Sequence, residues 1–361
     1  MMRISRRRFI GVASGAIAIG LGGIRAPRAR AEAALFQWPS RTITLEPDHD
    51  QQKPPVVTAV RIHRDARLLA TAGDDHIVRV FSISDGKQVQ RLVRHTDWVR
   101  AVDYSSDGRW LASAGNDRRV VIWNAATGEL ERELPRHVNA LAVVHFSHDG
   151  QRLAAAGFGE KLNLYDVEQG KLAREFIAPC SDMRAVAFAP DDQLLAAGGR
   201  CGTIRIFPLN STDKPRDLTA HRGRIRALAF SPDGNFLAST GEDRTIHVAP
   251  VRTGTPGFRL EVRPVKYLAL AFYGPHHLAV AGSDNLIRLW DLQQRRELGF
   301  LSGHTGSVAA LDCQGKMLVS AGYDTTVRIW TIDDRLADDA AGDSRRVGVK
   351  PDVKTEPIRK K

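Results

Sequence analysis

Short runs in which apolar and polar side chains alternate recur along almost the whole chain, each broken by small or turn-forming residues. Around residue 100, positions 99–104 alternate and Ser105-Ser106-Asp107-Gly108 turns the chain. Positions 110–114 run back, Gly115-Asn116-Asp117-Arg118 turns it again, and 120–124 form a third run. Ala126-Thr127-Gly128 then precedes a fourth at 129–134. Period-two alternation of this length predicts half-buried β-strands, and Gly, Asp, Asn and Pro between them predict tight turns. Near residue 232, Ser-Pro-Asp-Gly does the same work, Pro232 presetting φ and Gly234 permitting a positive one.

The pattern is a repeat. Seven copies read AGDDHIVRVF from Ala72, AGNDRRVVIW from Ala114, AGFGEKLNLY from Ala156, GGRCGTIRIF from Gly198, TGEDRTIHVA from Thr240, AGSDNLIRLW from Ala281 and AGYDTTVRIW from Ala321. Their spacings are 42, 42, 42, 42, 41 and 40 residues. Four antiparallel strands in each such unit make a propeller blade, so the expected fold is all-β, a seven-bladed β-propeller over residues 56–332. After Trp330 no fourth strand follows, while an orphan strand at 41–46 precedes the first copy within a 32–55 linker. That N-terminal strand is expected to complete the last blade, removing the sheet edges an open ring would leave. Residues 333–361 are polar and aperiodic and read as a flexible tail.

Here the chain resembles the WD-repeat family. The resemblance covers roughly residues 41–332 and implies a hydrogen-bonded His, Ser or Thr, Asp and Trp within each intact blade. The second copy supplies His95, Ser113, Asp117 and Trp123, and the seventh His304, Ser320, Asp324 and Trp330. The fifth keeps His221, Ser239 and Asp243 but has Ala249 for the Trp. The first keeps Thr71 and Asp75 without the His; the third, fourth and sixth depart further, the third with Gly159 at the Asp position. These residues recur once per blade at a fixed offset, whereas a catalytic triad occurs once, so they read as structural. Aligning the fourth copy on the second puts Cys180 beside the His position and Cys201 at the Asp position, a candidate disulfide. Cys313, at the end of a first strand, reads as a buried thiol.

Charge changes the picture only at the N-terminus. The formal net charge is +11, but residues 1–31 hold seven arginines and no acid, leaving 45 Lys and Arg against 41 Asp and Glu. No concentrated basic face is visible beyond residue 31, so nucleic acid is not an expected partner. The opening has a basic region, an apolar stretch from Phe9 to Ile24 and a small-residue site at Ala29 and Ala31. Arg6, Arg7 and Phe9 within Ser-Arg-Arg-Arg-Phe-Ile resemble a bacterial twin-arginine export signal, with Gly11 where a lysine is common. The resemblance implies a periplasmic or otherwise exported domain, anchored to the inner membrane if the signal is uncleaved.

Projecting the copies onto one another brings Trp98, Phe158, Tyr323, Arg200, Arg222, Arg224 and Lys266 to the top face, where loops enter the first strands. The basic members form an expected arc over blades four to six, suited to an acidic protein or peptide partner. The leading expectation is therefore a non-catalytic interaction scaffold, monomeric or within a hetero-complex, with no cofactor or metal. The alternatives are a cofactor- or ligand-binding propeller enzyme exported folded, and a structural subunit of an envelope complex. Against the enzyme, no haem-attachment, HExxH or glycine-rich phosphate motif occurs.

Overall fold

The computed structural model describes residues 34–36, 39–47, 53–252, 256–260 and 264–332. The expected export signal (Arg6, Arg7, Phe9, Ala29, Ala31) and the 333–361 tail lie outside the described residues. The described part is an all-β propeller of seven sheets, antiparallel except for one parallel edge strand added to the sixth. Blades 1 to 6 span residues 57–93, 99–133, 141–177, 183–219, 225–259 and 267–301. Blade 7 combines Val308–Gln314, Met317–Gly322 and Thr326–Thr331 with Ser40–Thr44.

Each blade follows the alternation of its sequence. Second strands such as Leu111-Ala112-Ser113-Ala114 are buried throughout, whereas fourth strands such as Lys171–Ile177 are mostly exposed. The apolar side chains meet between blades, in seven clusters that each join consecutive sheets. Small residues let the inner strands approach closely. A Cβ on Gly115, which ends the second strand of blade 2, would overlap the carbonyl oxygen of Trp98. Equivalent overlaps at Gly73, Gly157 and Gly282 explain why this glycine recurs in every copy.

The last cluster closes the ring. Ser40–Thr44 pairs antiparallel with Thr326–Thr331, Ile43 opposite Val327, and Leu45 N–H donates to Thr325 O at 3.0 Å. Ile43 and Leu45 pack with Val60, Ile62, Leu69, Phe81, Val319 and Ile329. The closing strand thus falls almost where the orphan alternation put it. The linker holds one element that the alternation did not reveal. Ala34–Phe36 adds to blade 6 as a fifth strand, parallel to Arg296–Leu301, Leu35 opposite Phe300. Three residues are too few to carry a legible period.

Each first strand carries one extra residue near its start. In blade 2, Val99 and Ala101 face the adjacent Gly115 and Ala114, leaving Arg100 in a bulge. The same shift leaves Thr58, Ala142, Arg184, Arg226, Leu268 and Ala309 unpaired in the other blades. A bulge re-aims its side chain, and all seven residues line one axial channel of about 150 Å³.

Closure makes Ile43, only 5% exposed, count for more than its strand's length suggests. Truncation to Ala should cost roughly 2–4 kcal/mol in urea unfolding. The exposed neighbour Thr42→Ala should change stability by less than about 0.5 kcal/mol. Equal effects at the two positions would show that the strand does not close the ring.

Candidate interaction site

Beneath the top face, each entry loop is tied down by its own blade. In blade 2 the His95 Nδ1–H donates to Asp117 at 2.9 Å, leaving Nε2 as an acceptor for the Ser113 hydroxyl at 2.8 Å. Trp123 Nε1–H then donates to Ser113 Oγ at 2.9 Å. One tautomer, a neutral imidazole, satisfies every group in this buried chain. Blade 7 repeats it, with His304–Asp324 at 2.9 Å, His304–Ser320 at 2.7 Å and Trp330–Ser320 at 2.9 Å. In blade 5, His221 meets Asp243 at 3.0 Å and Ser239 at 2.8 Å, but Ala249 offers Ser239 no indole donor.

The blades without this set are braced by other chemistry. In blade 3, Tyr165 stands at the Trp position and its hydroxyl reaches His137 Nε2 directly, at 2.8 Å. Asn163 Nδ2 donates to the same hydroxyl at 3.1 Å. In blade 4, Cys180 and Cys201 form a disulfide with Cα atoms 6.1 Å apart, at the positions of Thr96, next to the imidazole, and of the carboxylate Asp117 in blade 2. In blades 1 and 6 a buried arginine of the third strand pairs with the turn carboxylate, Arg79 with Asp75 and Arg288 with Asp284. There the entry loop is held separately, by Val56 N–H to Asp74 Oδ1 at 2.8 Å and Lys266 N–H to Ser283 Oγ at 3.2 Å.

On the surface above, Trp98, Phe158 and Tyr323 are exposed to 42%, 38% and 47%. They are contributed by blades 2, 3 and 7, at entry loops or at turns between second and third strands. The basic residues are arranged differently from the arc that the aligned copies suggest. Arg200, Arg222 and Lys266 are exposed and lie outside the channel lining. Arg224 is engaged by Asp182 at 2.8 Å and by Glu242 at 3.0 Å. The cations that reach the channel are the bulge residues Arg100, Arg184 and Arg226, together with Arg61, which is ion-paired to Asp103 and Asp312. Strict alternation hides the bulge residues, because one extra residue changes which way a side chain points. The recurring column Thr58, Arg100, Ala142, Arg184, Arg226, Leu268 and Ala309 is the signal that could have found them.

The opposite end of the channel opens into a funnel of about 490 Å³. Its charges are spent on bracing. Arg61 of blade 1 pairs with Asp103 of blade 2 at 2.8 Å and with Asp312 of blade 7 at 3.4 Å. The remaining carboxylate oxygens accept from Phe146 N–H and Ile62 N–H, both at 2.7 Å. Beside it Cys313 is half-buried, and burial pushes its thiol up to about 12, leaving it protonated at neutral pH. Among the described residues, no group of three or more His, Cys, Asp and Glu side chains is placed to hold a metal.

Comparison with known proteins matches these blades. Residues 56–248, more than half the chain, fit the family described as the IFT122 first beta-propeller, and 263–291 and 295–331 each fit the WD domain, G-beta repeat. The chain belongs to the WD-repeat β-propeller family. Among the relatives, Mitochondrial division protein 1 of Mycosarcoma maydis is 32% identical over 96 residues, 25% of this chain and 12% of that protein. The periodic tryptophan protein 2 homolog of Caenorhabditis elegans is 31% identical over 77 residues, 21% and 8% of the two chains. The p21-activated protein kinase-interacting protein 1-like protein of Danio rerio is 37% identical over 65 residues, 18% of each. The chain therefore spans less than a fifth of these relatives.

The braces predict an order of sensitivity. Ser113→Ala strands both an indole N–H and an imidazole nitrogen and should cost about 2 kcal/mol or more in urea unfolding, whereas Ser239→Ala strands one group and should cost about half that. A larger loss at Ser239 would contradict the assigned donors.

Acid should weaken the fold in two stages. Burial lowers His137 and His247 to about 4, so the unfolded chain protonates first and stability is lost as pH falls from about 6.5. Burial opposes ionisation of Asp117, Asp243 and Asp324, but hydrogen bonds from backbone amides and the partner histidines outweigh it and lower them. Their contribution is lost below about pH 3.9. His247→Val, which places the blade 2 residue in blade 5, should flatten the urea midpoint between pH 6.5 and 4.5. An unchanged pH profile would remove His247 as the source.

Proposed function

We propose that the chain is an exported, non-catalytic scaffold that holds a protein or peptide partner on its top face. The observation that carries this reading is the exposure of Trp98, Phe158 and Tyr323 on the loops and turns at the arginine-lined end of the channel. Tryptophan, tyrosine and arginine are the residue types that dominate binding hot spots. Large aromatic surface left open to water on rigid turns is a cost to a solitary protein and an advantage to one that is covered. The braces use the recurring His, Ser and Asp groups for structure, so they are not free for chemistry. The name of the zebrafish relative, a kinase-interacting protein, refers to that protein alone, and only the kind of role, protein binding, is carried over.

Export is proposed from the N-terminal residues Arg6, Arg7, Phe9, Ala29 and Ala31, and the Cys180–Cys201 bridge supports an oxidising compartment. A second reading has its own support. Val89, Val93, Leu130, Val138, Leu172 and Ile177 are exposed on or beside the outer strands of blades 1 to 3, which would suit a subunit held by its side in a larger complex.

Crosslinking the tagged chain in its own host separates these. The captured partner should be lost with Trp98→Ala/Tyr323→Ala and kept with Val89→Ser/Ile177→Ser. The reverse pattern would favour the side, and survival in both variants would sink both surfaces. Arg6→Lys/Arg7→Lys should leave an unprocessed precursor in the cytoplasmic fraction. Normal processing of that variant would discard the twin-arginine route.

A further inference from the structure

The channel mouth concentrates positive charge that the fold itself does not neutralise. Arg100, Arg184 and Arg226 occupy the same bulge position in blades 2, 4 and 5 and converge on one axial cavity. Arg100 lies over the Trp98 ring at 4.8 Å and donates from Nε to Asn116 Oδ1 at 2.9 Å. Among the described residues it has no carboxylate within ion-pair distance. Arg184 lies over Phe158 at 4.2 Å and pairs with Asp182 at 2.6 Å. Arg226 reaches Glu242 only at 3.5 Å. Since Arg224 draws on the same Asp182 and Glu242, three guanidinium groups share two carboxylates, and Arg100 pairs with neither.

Burial, with Arg226 nearby as a like charge, lowers the pKa of both Arg100 and Arg184. Guanidinium groups stay charged regardless, so their repulsion persists until an anion enters. The cavity, about 150 Å³, is well below the several hundred Å³ of a typical small-molecule site, yet it admits the end of a side chain. Trp98 and Phe158, which orient two of the arginines, also offer open ring surface to whatever carries the anion. A free inorganic ion would leave that surface unused.

We propose that the channel mouth receives a carboxylate side chain of an acidic peptide segment, clasped by Arg100, Arg184 and Arg226. This names the partner chemistry for the top-face reading and rests on it. Planar guanidinium forks match carboxylate geometry, and the aromatic rings contact the flanking residues.

Fluorescence anisotropy of a labelled oligoglutamate peptide with the full chain, at low ionic strength, tests this. Binding should weaken about tenfold or more in Arg100→Gln/Arg226→Gln. It should change less than about twofold in Arg109→Gln/Arg252→Gln, which removes equal charge from exposed positions on the opposite face. An oligoglutamine peptide should not bind. If the channel variant fails to fold, Arg100→Lys/Arg226→Lys keeps the charge but loses the fork, and it should weaken binding as well. Equal loss in both Gln variants would reduce the effect to general attraction and overturn the site. Inorganic phosphate that binds saturably while the peptide does not would overturn the peptide assignment. If Trp98→Ala/Tyr323→Ala abolishes partner capture while the channel variants leave oligoglutamate binding intact, the carboxylate site falls and the top-face reading stands.

Discussion

Every sheet in this molecule has two apolar faces, and no sheet can bury both alone. The stable arrangement is a circle in which each blade covers its neighbour, so seven interfaces need seven blades and a closed ring. Six of those interfaces lie between blades consecutive in sequence. The seventh depends on Ile43 and Leu45, brought from the start of the chain to the end of it. The energetic reward is hydrophobic burial, while the glycine that ends the second strand lets the entry loop of the same blade lie against it, where a Cβ would overlap a backbone carbonyl.

Burying a blade creates a second requirement, to hold the entry loop in place by specific polar or covalent contacts. The chain meets it in several chemical ways. A neutral imidazole relays between carboxylate and hydroxyl in blades 2, 5 and 7, a phenol reaches an imidazole in blade 3, and a covalent bridge serves in blade 4. In blades 1 and 6 a buried guanidinium takes over the turn carboxylate, and a side chain from the turn caps the entry amide. Although Thr71 Oγ1 in blade 1 and Arg288 Nη1 and Trp290 Nε1 in blade 6 are buried without a hydrogen-bond partner, what is constant is a tie between the entry loop and the rest of its blade. The residues that supply it are interchangeable, which is why the repeat looks degraded in sequence while its geometry persists.

This separates what sequence conveys from what it hides. Blade number, strand order, the closing strand and the Cys180–Cys201 pairing follow from laying the copies over one another, because repetition fixes the register. Residues such as Arg79 and Arg288 look like surface charges on an alternating strand. Their burial becomes visible only when the missing histidine is recognised as a vacancy beside a carboxylate. Trp98, Phe158 and Tyr323 are legible as exposed because they sit in turns. Arg100, Arg184 and Arg226 are not, since a single bulged residue breaks the period that alternation relies on.

Ring closure also sets an order in time. Ser40 lies opposite Trp330, so the outermost strand pair of the last blade joins residues almost three hundred positions apart. The entropy of closing so long a loop grows only with the logarithm of its length, and it is a modest thermodynamic term. Kinetically the contact comes late, because partners so distant in sequence must wait for one another. During synthesis the strand at 40–44 emerges early and has no partner until Thr326–Thr331 appears. Its docking therefore serves as a built-in mark of completion: a truncated chain leaves its N-terminal strand unpaired, and only a full ring hides both of its ends.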